Sequence, residues 1–70
     1  MTRYYIVKYS VKKTSKAVAM TYDKAEAVAI CEHPKTTTST WFYGWTATEP
    51  RGANPNTLPR VADLLRDLNK

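Results

Sequence analysis

Aromatic rings and ammonium groups are the side chains of this sequence whose types and spacing suit chemistry. Trp41-Phe42-Tyr43-Gly44-Trp45 crowds four rings around one glycine, and Lys8, Lys12, Lys13 and Lys16 cluster near the start of the chain. Rings stack on nucleobases while ammonium groups hold phosphates, so the combination suits single-stranded nucleic acid. Aromatic anchors rimmed by lysine also make protein interfaces, where a few buried rings supply most of the binding energy.

Catalytic combinations fail on spacing. Cys31 and His33 are two residues apart, which on a helix turns their side chains about 200° from one another. They cannot act as an intrahelical nucleophile and base, and His33 reads instead as a favourable charge at a helix C-terminus. Asp63 and Asp67 share a helix face, but Arg60 and Arg66 flank them. An exposed face gives neither carboxyl the burial that would raise its pKa for acid catalysis, so they read as solvated ion pairs. Neither a Gly-rich phosphate loop nor a metal-ligand spacing occurs. The expectation is a non-enzymatic protein with no cofactor and no metal.

Charge locates the binding surface. Of a net +5, residues 1–20 contribute Arg3, Lys8, Lys12, Lys13 and Lys16 and no acid, while the remaining bases and acids cancel. Positive charge confined to one segment favours an anionic partner. With 70 residues the chain has room for one small domain, 1–70, whose core is small enough that a bound partner or a second copy in a homodimer would help it. No apolar run is long enough to span a bilayer and no secretory signal opens the chain, so no membrane partner is expected and the default compartment is the cytoplasm. The single cysteine, Cys31, can form no internal disulfide.

These residues need elements to hold them. Alternation from Tyr4 to Val11 predicts a half-buried strand with Tyr5, Val7, Tyr9 and Val11 on one side and Tyr4, Ile6, Lys8 and Ser10 on the other. A turn over Lys13–Lys16 and a short strand over Ala17–Met20 complete a basic hairpin, residues 3–21, with Val11 opposite Val18 and Tyr9 opposite Met20. Thr21 is the expected N-cap of a helix over about 22–33, ended by Pro34. An aromatic strand spans about 36–48 and a Pro/Gly/Asn loop 49–56. Thr57 is the expected cap of an amphipathic helix over about 57–69, with Leu58, Val61, Leu64, Leu65 and Leu68 on one stripe.

The class predicted is α+β, ordered β-β-α-β-α: a three-stranded, mostly antiparallel sheet with two helices packed on one face and the other face open. The expected core is Tyr5, Val7, Tyr9, Val18, Leu58, Val61, Leu65 and Leu68. The expected binding face then carries Tyr4, Lys8, Lys12, Lys13, Lys16 and Phe42. If the aromatic strand faces the other way, Trp41, Tyr43 and Trp45 take the place of Phe42.

The run Trp41-Phe42-Tyr43-Gly44, followed by a Gly-containing loop and an amphipathic C-terminal helix, resembles a stretch of phage anti-CRISPR proteins directed at the type I-F surveillance complex. The resemblance implies a class, small non-enzymatic inhibitors that dock on nucleic-acid machinery, and no particular residue. The basic hairpin and the aromatic sheet face make nucleic acid, preferably single-stranded, the first expected partner. The alternative is an inhibitor or adaptor that binds a protein of the nucleic-acid machinery.

Overall fold

A computed structural model describes residues 2–12 and 14–69, so Lys13 lies outside the described residues. Its elements are β1 (Tyr4–Ser10), β2 (Ser15–Thr21), α1 (Lys24–Glu32), a 3₁₀ turn (Pro34–Thr36), β3 (Trp41–Thr46) and α2 (Val61–Leu68). The strands form one antiparallel sheet in the order β2-β1-β3, giving the expected α+β class and element order.

Which side of β1 meets the helices is the reverse of the expectation. Ile6, Ala19, Ala27, Ile30 and Val61 form one buried cluster, with Tyr4, Tyr43 and the leucines of α2 packed around it. The helices therefore cover the side that carries Tyr4 and Ile6. Lys8 sits on that same side and made it look like the solvent face. The resolution lies in coverage along the strand: Ile6 is fully buried, whereas Lys8, one step further on the same face, lies towards the hairpin and is only half-buried.

The hairpin register also differs. Tyr5 lies opposite Met20, Ile6 opposite Ala19, Lys8 opposite Lys16 and Tyr9 opposite Ser15, with a bulge at Val18. The expected pairing of Tyr9 with Met20 would leave half of β1 without a partner on this side. The observed register pairs the two strands along almost their whole length, satisfying more backbone groups.

Helix starts move inward for identifiable reasons. The Asp23 carboxylate, not Thr21, caps α1, accepting from the Ala25 N–H at 2.9 Å. Thr21 Oγ1 instead accepts from the Asp23 N–H at 3.1 Å and donates to Glu26 Oε1 at 2.7 Å. α2 begins at Val61 rather than near Thr57. The Thr57 N–H and hydroxyl both go to the Asn54 carbonyl, closing a turn, and the Pro59 carbonyl accepts from the Met20 N–H at 3.0 Å. Residues 59–60 thus run as a short parallel bridge beside β2 and cannot be helical. The threonine-rich start expected of the aromatic strand is a turn, because Thr38 Oγ1 accepts from the N–H groups of both Thr40 and Trp41.

The second face of the sheet is not left open. Tyr5 is 2% exposed, Val7 5% and Met20 0%, all on the side away from the helices. The segment between β3 and α2 crosses this side, with Pro50, Gly52, Ala53 and Leu58 lying over Val7 and Ala17. Leu58 therefore belongs to this second apolar layer and not to the helical stripe. Tyr9, expected in the core, is exposed beyond the reach of that segment.

Candidate functional site

At the hairpin end of the helix-bearing face, beyond the helices, β1, β2 and the entry to β3 enclose an open groove of about 440 Å³. It is lined by Lys8, Ser10, Thr14, Ser15, Lys16, Thr40 and Trp41. Two backbone bonds build it: Ser10 N–H to the Thr14 carbonyl closes the hairpin, and Val11 N–H to the Thr40 carbonyl ties the hairpin to β3, both at 3.0 Å. Thr38 holds the Trp41 backbone in place through its hydroxyl, which accepts from the Trp41 backbone N–H at 3.1 Å.

The electrostatics of the groove are one-sided. Lys8 and Lys16 are direct cross-strand partners, an arrangement in which like charges oppose pairing. Among the described residues neither has a carboxylate partner, and the ion pair Asp63–Arg66 lies on α2. The Lys8 ammonium rests instead 4.6 Å from the centroid of the Trp41 ring. This cation–π contact offsets part of the repulsion, being worth about 0.5–1 kcal/mol at an exposed site. Trp41 in turn leans on Tyr43, with centroids 5.2 Å apart. The groove thus presents two ammonium groups, an indole and four hydroxyls with no acid, a surface suited to a phosphate beside a flat ring.

The structure divides the expected site residues between places. Lys8, Lys16 and Trp41 come together in the groove. Lys12 is exposed in the hairpin turn, its N–H bonded to Ser10 Oγ at 3.3 Å. Tyr4 is not on an open face: it packs against the core and meets the Trp45 ring edge-on at 5.8 Å. Trp41, Tyr43 and Trp45 lie on the helix-bearing side, opposite Ser10, Lys8 and Ile6 respectively. Lys24, which the sequence reading did not single out, rests 5.3 Å from the Trp45 ring. Nor did that reading find the hydroxyls of Ser10, Thr14, Ser15 and Thr40; the strand register, which brings them together, is their only signal.

Phe42 is exposed but lies on the opposite face from Lys8, so it does not join the lysines of the groove. Its ring stacks on Tyr9 at 5.3 Å, and Gly44 makes room for this, since a Cβ there would lie 2.9 Å from Tyr9 Cε2. The stacked rings of Phe42 (51% exposed) and Tyr9 (37%) form an exposed apolar patch at the same end of the molecule, and Val11 (67%) is exposed just beyond the end of β1.

His33 bridges the ends of α1 and α2. Its Nδ1 accepts from the Lys35 N–H and its Nε2 lies 3.1 Å from Asn69 Oδ1, which assigns the proton to Nε2. Cys31 is half-buried against the core, and burial, reinforced by the Glu32 charge, raises its thiol above the ordinary value. No group of three or more His, Cys, Asp or Glu that could hold a metal occurs among the described residues, and none of their helices is long and apolar enough to cross a membrane. Compared with protein-family models, curated proteins and solved structures, the chain matches none.

Proposed function

We propose that this protein is a non-enzymatic binder of single-stranded nucleic acid and that the groove between the hairpin and Trp41 is its contact surface. One observation carries the reading: Lys8 and Lys16 face each other without a carboxylate, beside a partly exposed indole. A phosphate placed between the two ammonium groups removes their repulsion. A base then takes the place of the Lys8 ammonium on the Trp41 ring, and the rim hydroxyls donate to phosphate and sugar oxygens. Lys12 extends the positive field towards the incoming strand.

The test is titration of oligonucleotides at several salt concentrations. Replacing Lys8 and Lys16 by Gln should flatten the dependence of log affinity on log salt by about 0.7 for each lost contact with a single strand. Trp41→Ala should remove about 1–3 kcal/mol of binding, the worth of one stacked base. No measurable affinity for any oligonucleotide at low salt would sink the reading.

A second reading is favoured by the patch of Tyr9 and Phe42, whose exposure suits a protein partner. In it the chain is an inhibitor or adaptor on a protein of the nucleic-acid machinery in the cytoplasm, the class that the anti-CRISPR resemblance implies. Phe42→Ala should then weaken capture of a nuclease-resistant partner by about 2 kcal/mol or more and leave oligonucleotide affinity unchanged, because Phe42 and Trp41 lie on opposite faces.

A further inference from the structure

On the other face, a cleft of about 380 Å³ lies between β2 and the segment that crosses towards α2. Its floor is apolar, from Val7, Ala17 and Leu58, its rim carries Lys16 and Arg51, and among the described residues no acidic side chain lines it. One wall is a strand edge with unused backbone groups. Ser10 N–H bonds across the hairpin to the Thr14 carbonyl while Val11 N–H bonds to Thr40, so the even-numbered residues of β1 bond towards β2. Lys16, opposite Lys8, therefore bonds inward to β1, and Ser15 and Ala17 direct their N–H and C=O outward. Further along the same edge, Met20 already bonds outward to the Pro59 carbonyl at 3.0 Å, and Arg60 bridges it in parallel. The edge is thus closed at Met20 and open at Ser15 and Ala17.

We propose that this cleft takes an extended acidic peptide segment of a partner protein, added as a short strand to the open edge of β2. Backbone bonds to Ser15 and Ala17 would hold the segment, and its inward side chains would meet Val7 and Leu58. Carboxylates would pair with Lys16 and Arg51 at the rim. The charge balance selects an acidic occupant, since the cleft and the adjoining hairpin offer cations only. The site is separate from the nucleic-acid reading of the groove, although Ser15 and Lys16 border both.

The probe is a blocked peptide alternating glutamate and valine, titrated into the whole protein with amide resonances and hydrogen exchange followed residue by residue. Binding should slow exchange at the Ser15 and Ala17 amides, and Arg51→Gln should weaken it several-fold. The same peptide N-methylated at alternate residues keeps its charge and side chains but loses its strand donors, and it should bind about tenfold or more weakly. Ala17→Pro removes an outward N–H without touching the β1 ladder and should abolish binding while the circular dichroism of the fold persists. Should that variant unfold, the N-methylated peptide decides alone. Any of three results would overturn the proposal: equal affinity for the methylated peptide, amides at Ser15 and Ala17 already protected in the free protein, or a single-stranded oligonucleotide that protects those amides in the peptide's place.

Discussion

Gly44 shows how a single hydrogen atom in place of a side chain sets a surface. The Tyr9 ring occupies the space that a Cβ at position 44 would need, and from there it stacks on Phe42. Gly44→Ala should push that ring outward and cost about 1 kcal/mol, the low end of the overpacking range, because the displaced atoms belong to a partly exposed side chain. In a background of Tyr9→Ala the same substitution should become nearly neutral, since the clash is gone. Urea denaturation of the four proteins checks this; additive effects would mean that the ring and the glycine do not compete for the same space. Lys8 is the matching case for charge. Its ammonium lies on an indole because its cross-strand neighbour is another lysine.

At the level of elements, α1, the start of α2 and the strands form the cluster in which Ile6, Ala27, Ile30 and Val61 are fully buried. Ile30→Ala should therefore cost about 2–5 kcal/mol, combining lost transfer energy with a cavity. That is comparable with the whole stability of so small a domain. Leu65→Ala should cost roughly half as much, since Leu65 packs on the cluster from a half-buried position. Thermal melting ranks the two, and a larger loss at Leu65 would mean that α2 contributes more of the core than α1. The boundaries of these elements were legible only where a local signal dominated. Pro34 marks the end of α1 as expected, because the helix cannot continue through it. Thr57 had every local mark of an N-cap, yet a distant bond from Met20 to Pro59 decided where α2 begins.

For the whole molecule, stability at alkaline pH should register Cys31. Burial, the main cause, and the nearby Glu32 charge hold its folded thiol above its unfolded value, so the fold favours the protonated form. The resulting stability is fully present below the unfolded pKa and is lost as pH rises through the folded one. The difference in urea midpoint between wild type and Cys31→Ala should therefore shrink on the alkaline side and stay level at neutral pH. A difference that stays constant through the alkaline range would place the thiol in water. The two surfaces proposed for binding both lie at the hairpin end, where the groove with Lys8 and the patch with Phe42 occupy opposite faces of one sheet. The two surfaces can then act independently, and the substitutions at Trp41 and Phe42 separate them.

From the sequence alone came the α+β class, the order of elements, the basic hairpin and the aromatic strand. Each of these depends on residues near one another in the chain: alternation, caps, proline and the run of rings. Which face of the sheet is covered was decided by tertiary structure. Period-two alternation separates Tyr5, Val7 and Tyr9 from Tyr4, Ile6 and Lys8 without saying which set meets a helix. Here burial falls along both sets towards the hairpin, because the helices bury Ile6 but leave Lys8 half-buried and the crossing segment covers Val7 but not Tyr9. The same packing set the strand register, and the register is what joins Lys8, Lys16 and Trp41 while sending Phe42 to the far side.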